Sequence, residues 1–259
     1  MSQLPIQDGE YRTQPRRVSF LSRWFPSTVF FLKLAWIIWK AGRKAKAGKY
    51  DGGEWAKSSL AVMRALESVG VKFEITGFEH FDSIEGPCLV VGNHMSTLET
   101  TVLPGLIQPI KESTFVIKQS LLEYPVFKHV MRSRDPIAVS QSDVRADFKT
   151  MLTGAAERLA RGVSVIVFPE GERAAEFVPA KFNTIGVKIA QRNEVPIVPL
   201  ALDSWAWPLG AVVSDVARLD TDRKVRFAFG PPLEVSGRGA EEQQAIIDFI
   251  QAKRSEWGL

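Results

Sequence analysis

Beyond Gly70 the apolar residues gather into short β-rich runs, VKFEITG, PCLVVGN, TFVIK, PIAVS, SVIVF, PIVPLAL and KVRFAFG, separated by segments of helical spacing. Several of these runs are apolar at nearly every position, as expected of strands covered on both faces. The clearest helix is predicted over 143–161, where Val144, Phe148, Met151, Leu152, Ala155 and Leu159 trace one face and Gly162 ends it. Further helices are expected over 121–131, 179–192 and 240–256. Strands alternating with helices predict an α/β fold, a mostly parallel sheet flanked by helices. Ligand sites in such sheets gather at the carboxyl ends of the strands, where the segments GNHMS and FPEGER both fall.

The first seventy residues follow a different pattern. STVFFLKLAWIIWKAGRKAK, Ser27 to Lys46, has helical preferences, and its uninterrupted apolar part is shorter than the roughly 20 residues a membrane span needs. On a helix, Lys33, Lys40 and Lys44 form one stripe while Phe30, Phe31, Leu34, Trp36, Ile37, Ile38 and Trp39 cover most of the remainder. That pattern predicts a helix sunk in a membrane interface with its lysines toward the headgroups. Lys40, Arg43, Lys44, Lys46 and Lys49 add a basic cluster that favours the cytoplasmic face. A turn is expected at Asp51–Glu54, then a second helix through Trp55, Ser59, Val62, Met63, Leu66 and Val69. The alternatives are that both helices pack on the soluble core and that the first makes a true single span. The resulting division is a flexible N-terminus over 1–17, a membrane-interface helical hairpin over 18–70 and an α/β domain over 71–259.

Composition narrows the partners. With 33 Lys and Arg against 29 Asp and Glu, the chain leans weakly toward anionic partners such as a phosphate or a membrane surface. No RNA-binding signature or long basic block is present, so nucleic acid is not an expected partner. Cys88, the single cysteine, lies in an apolar run and reads as a core residue. Arg16 and Arg17 superficially resemble an export signal, but no convincing cleavage site follows.

The three histidines, His80, His94 and His129, lack metal-ligand spacing, and no H-E-x-x-H occurs, so no metal is expected. His94 follows an apolar run, with Glu99 five positions on. A histidine accepts a proton from a hydroxyl near neutral pH, and a carboxylate on its other nitrogen fixes the tautomer. The nucleophile can be a substrate hydroxyl, since no G-x-S-x-G elbow occurs. Ser96 and Glu99 also have the S-x-x-E spacing of a helix capping box, which makes His94 an ordinary loop residue. The segment VIVFPEGER, Val165 to Arg173, adds a strand, a turn in which Gly171 permits close backbone approach, and an arginine suited to phosphate. Alone, it reads as a surface turn with a solvated arginine.

Four blocks in order, NHMSTLE, IKQSLLEYP, FPEGER and VPIVPLAL, resemble those of the glycerolipid acyltransferases of the bacterial lysophosphatidic acid acyltransferase (PlsC) type. The resemblance covers roughly residues 85–205 and extends to the two-helix N-terminal anchor. It implies an enzyme in which His94 is the general base and Glu99 orients it. Lys118 and Arg173 are implied to contact the acceptor phosphate, Glu170 and Gly171 to shape the site, and the VPIVP strand to lie on the acyl-donor side. The implied reaction moves a fatty acyl group from acyl-CoA or acyl-ACP (acyl carrier protein) to the free hydroxyl of a lysophospholipid, most plausibly lysophosphatidic acid. It uses no bound cofactor and no metal. The implied partners are a phospholipid bilayer, the lysophospholipid acceptor and the thioester donor, at the cytoplasmic face of the inner membrane.

Three departures point to an altered acceptor pocket. Glu99 stands where the family's H-x-x-x-x-D block has Asp, Glu172 where FPEGTR has Thr, and Ser140 and Gln141 where Asp and Arg are common. Arg132 or Arg134 is available to supply a missing charge. A different lysolipid or an acylated amino lipid is therefore an alternative acceptor, and a silent lipid-binding protein of the same fold is the alternative to an enzyme.

Overall fold

The computed structural model describes residues 4–124, 127–211 and 213–259. In chain order the elements are β1 (Tyr11–Arg12), α1 (Phe20–Trp24), α2 (Pro26–Lys46), α3 (Gly52–Glu67), β2 (Phe73–Thr76), β3 (Leu89–Gly92), α4 (Thr97–Ile107), β4 (Ser113–Lys118), α5 (Lys128–Ser133), β5 (Ile137–Val139), α6 (Val144–Ala160), β6 (Ser164–Val167), α7 (Ile185–Asn193), β7 (Ile197–Asp203), β8 (Val225–Phe229) and α8 (Ala240–Glu256). The strands form one sheet in the order β1-β2-β8-β7-β3-β6-β4-β5. The β1/β2 and β7/β8 pairs are antiparallel and the others parallel, giving the mostly parallel sheet that the apolar runs predict.

Residues along each central strand alternate between two cores. Val90 of β3, Ile166 of β6 and Val198, Leu200 and Leu202 of β7 pack in the larger one, with Phe30 and Leu34 of α2, Met63 and Leu66 of α3, and Leu98 and Val102 of α4. Leu89, Val91, Val165, Val167, Ile197 and Ala201 enter the other, with Ala155 and Leu159 of α6, Ile185 and Ile189 of α7, and Ile246 and Ile250 of α8. Both faces are dry, which explains strands with no polar alternation. Gly92 permits the close approach of β3 to β7: a Cβ there would lie 2.6 Å from the Leu200 carbonyl oxygen.

Several expectations change. The segment 1–17 is not loose throughout: Tyr11 pairs with Ile75, is buried, and its hydroxyl donates to Glu67 at 2.6 Å. Asp51–Glu54 is no turn but a helix start, with the Asp51 carboxylate accepting from the Glu54 amide at 2.8 Å. The helix expected over 121–131 is confined to Lys128–Ser133 after a 3₁₀ turn at Gln119–Leu122, and its Pro125 and Val126 lie outside the described residues. The helix over 179–192 begins only at Ile185, and Val144 is exposed rather than part of the buried face of α6.

The two N-terminal helices differ in how much of their apolar surface they bury. α3 is a core helix, with Trp55, Leu60, Met63 and Leu66 buried. α2 buries Phe30 and Leu34 against that core but exposes Leu32, Trp36 and Trp39, continuing the exposed Phe20, Leu21, Trp24 and Phe25 around α1. Two lysines of the predicted stripe, both exposed, bond the α3 segment: Lys33 donates to Ser68 at 2.6 Å and Lys44 pairs with Glu54. Lys40 and Arg43 instead lie over the rings of Trp36 and Trp39, at 5.0 and 4.9 Å. Among the described residues no helix is long and apolar enough to cross a membrane.

Candidate active site

The carboxyl ends of β3, β6, β4 and β7 bring distant segments of the chain to one edge of the sheet. β3 delivers Asn93 and His94, β6 delivers Phe168 to Arg173, β4 ends at Lys118, and β7 leads into Ser204. Asn93 extends the β3/β7 pairing with its side chain, donating to the Leu202 carbonyl at 3.1 Å and accepting the Leu202 amide at 2.8 Å. The loop carrying His94 therefore leaves the sheet in a fixed direction.

His94 Nδ1 lies 2.9 Å from Glu99 Oε1. Glu99 is fully buried, and the same oxygen accepts the backbone amides of Met95 and Ser96 at 2.6 and 2.7 Å. Its other oxygen accepts the hydroxyls of Ser96 and Ser204, at 3.0 and 2.5 Å. The capping box and the histidine pair are thus one arrangement rather than alternatives: Glu99, at the third position of α4, serves both. Burial alone raises the Glu99 carboxyl, but the imidazole, Ser204 and the Ser96 amide outweigh it and hold the group below the ordinary carboxylate range. An ionised Glu99 keeps the proton of neutral His94 on Nδ1 and leaves Nε2 as its basic nitrogen.

Phe168 stacks on the imidazole at 4.5 Å with an interplanar angle of 8°. Below the ring, the PEG turn braces the histidine backbone from both sides: Glu170 accepts the His94 amide at 2.8 Å and the His94 carbonyl accepts the Ala174 amide at 2.9 Å. Burial pushes the Glu170 carboxyl up, partly countered by that amide. Gly171 has φ of +73°, a conformation suited to glycine. Its carbonyl accepts the Gln141 side chain at 2.9 Å, so the residue standing in place of the expected arginine ties the end of β5 to this turn.

Arg173 does not stand free. It donates to the hydroxyl of Thr97, the first residue of α4, and pairs with Asp215 at 2.7 Å; Thr97 in turn donates to Asp215 at 2.6 Å. Lys118 is exposed at the end of β4, where it pairs with Val139 of β5, and among the described residues no hydrogen bond joins it to the cluster. Arg132 pairs with the exposed Glu123, and Arg134 lies over Trp55 beside Glu112 at the opposite end of β4. Among the described residues no group of acidic, histidine and cysteine side chains is arranged to hold a metal.

Sequence reasoning missed Ser204, Asp215 and Arg254. Ser204 directly follows a predicted strand end, which was the available signal. Asp215 lies in a loop without pattern. Arg254, near the end of α8, is buried and donates to the Ala175 carbonyl at 3.0 Å, clamping the far side of the PEG turn.

The arrangement can accept a proton from a hydroxyl at His94. Comparison with known proteins agrees with that chemistry. The sequence model of a family described as Acyltransferase matches residues 72–203. A 1-acyl-sn-glycerol-3-phosphate acyltransferase of Pseudomonas aeruginosa is 27% identical over 198 residues, covering 76% of this chain and 71% of its own. The human 1-acyl-sn-glycerol-3-phosphate acyltransferase alpha is 29% identical over 246 residues, with 88% and 81% covered. The crystal structure of the Thermotoga maritima 1-acyl-sn-glycerophosphate acyltransferase PlsC superposes with a TM-score of 0.63 at 22% identity, covering 92% of this chain and 94% of that one, a likeness of fold.

Proposed function

The chain belongs to the acyltransferase family, and we propose that it moves a fatty acyl group from an acyl thioester to the free hydroxyl of lysophosphatidic acid, giving phosphatidic acid. The observation that carries this reading is the 2.9 Å contact between His94 and the buried Glu99 carboxylate. His94 Nε2 takes the proton of the acceptor hydroxyl as its oxygen attacks the thioester carbonyl carbon. Glu99 stabilises the imidazolium that results and, held by four other donors, keeps the ring oriented. The tetrahedral intermediate collapses with rupture of the C–S bond, and the imidazolium returns its proton to the departing sulfur. No acyl-enzyme forms on this route, and the acyl donor is acyl-CoA or acyl-ACP.

Arg173, with Lys118 at the neighbouring strand end, receives the acceptor phosphate, because a guanidinium forms charge-assisted bonds to phosphate oxygens. The exposed rings of Trp24, Trp36 and Trp39 rest in the interface of a phospholipid bilayer, where tryptophan combines an apolar body with a polar edge. Lys40 and Arg43, above those rings, suit an anionic leaflet such as the cytoplasmic face of the inner membrane.

Acyl transfer by the purified protein in micelles, with lysophosphatidic acid and acyl-CoA, tests the reading. His94→Ala is expected to lower turnover about 10²- to 10⁴-fold, the range of general base catalysis, while the thermal melt stays that of a folded protein. A covalent acyl-protein accumulating during turnover contradicts it.

A further inference from the structure

The side chain that Arg173 already holds sets a condition on acceptor binding. Asp215 bonds Arg173 at 2.7 Å and accepts the hydroxyl of Thr97 at 2.6 Å, so its carboxylate stands at the first turn of α4, an 11-residue helix. A guanidinium and a hydroxyl together are donors expected around a bound anion. The carboxylate is low in pKa despite the burial that raises it, because Thr97 and Arg173 both bond the ionised form. Its position is built rather than incidental. The buried Trp207 donates its indole N–H to the Asp215 carbonyl at 3.1 Å, and Trp207 packs edge-on against Phe30 and Phe31 of α2 at 5.0 and 5.7 Å. The backbone is thereby anchored to the N-terminal helix while the carboxylate closes a pair in which Arg173 is 25% and Asp215 34% exposed.

We propose that Asp215 is a built-in competitor that sets acceptor affinity: its carboxylate occupies the anion position on Arg173, and the acceptor's phosphate binds by displacing it. This rests on the reading of Arg173 as a phosphate ligand. Binding that requires a closed pair to open is weakened by the fraction of molecules in which the pair is open. Glu172, adjacent in sequence, adds a second negative charge on the same turn. Closing the pair lowers the affinity of every anionic acceptor by the same factor, so it sets KM and leaves the choice of headgroup to other contacts.

The test measures initial rates against lysophosphatidic acid and lysophosphatidylglycerol, with inorganic phosphate as competitor, in wild type, Asp215→Asn, Asp215→Ala and Arg173→Ala, each verified by thermal melt. Asp215→Asn is expected to lower KM for lysophosphatidic acid about fivefold with little change in kcat, the size suited to a partly exposed ion pair. KM for the phosphodiester acceptor should fall by a similar factor, and inorganic phosphate should inhibit the variant more strongly. Asp215→Ala should shift KM in the same direction. An unchanged or raised KM in both Asp215 variants, with Arg173→Ala still raising KM, overturns the role of Asp215 alone. An unchanged KM in Arg173→Ala overturns the assignment of Arg173 beneath it.

Discussion

The two anionic groups that flank the first turn of α4 are held in opposite ways. Glu99 is fully buried and takes five donors, while Asp215, on the outer side of the same turn, is a third exposed and takes two from side chains. The first carboxylate is over-determined: no single donor decides where it sits, so the imidazole meets a charge of fixed position before any substrate arrives. That is the preorganisation a proton transfer needs. The second pair can open at small cost because water is at hand to take up both charges. Under the proposed function, one helix terminus thus carries a rigid catalytic half and an exchangeable binding half.

That contrast can be broken most forcefully at the buried carboxylate. Glu99→Ala strands the amides of Met95 and Ser96 and the hydroxyl of Ser204, and each unsatisfied buried group costs about 1 to 3 kcal/mol, so a loss of about 3 kcal/mol or more is expected in denaturant melts. Arg173→Ala, measured the same way, should change stability by about 1 kcal/mol or less. Equal losses in the two variants would erase the distinction.

A smaller effect separates Glu99 from the other acid beneath His94. Burial raises the Glu170 carboxyl, so the folded state favours its protonated form; the stability it contributes is complete below the ordinary carboxylate range and is lost as pH rises through its elevated value. Glu99, whose folded value is lowered, has the opposite sign and loses its contribution as pH falls. Glu170→Gln cannot titrate. Its melting temperature relative to wild type should therefore rise between about pH 4 and pH 7. A flat or falling difference contradicts that sign.

What the chain disclosed beforehand follows the range over which its patterns act. The seven apolar runs are strands because both faces of the sheet are covered, and α6 and α8 are legible from their 3.6-residue period and their stops. α4 carries no such period: buried nearly all round and containing Pro104, it announces itself only through its Ser96–Glu99 cap. The lysine stripe of α2 is real as a stripe, but periodicity identifies a face without saying what lies opposite, and here α3 does. β1, two residues long, is too short for any alternation to register. His94 and Glu99 were legible because five residues separate them. Asp215 was not, since 42 residues divide it from Arg173 and its loop has no repeating pattern.

The central claim is that His94 and Glu99 act as one proton-accepting unit. Its most direct test is the turnover of His94→Ala, Glu99→Gln and the double variant, each verified as folded, with lysophosphatidic acid and acyl-CoA. Residues that act as a unit give non-additive losses, so the double variant should be no slower than His94→Ala alone. Losses that multiply would show that the two side chains act independently, and would contradict the account.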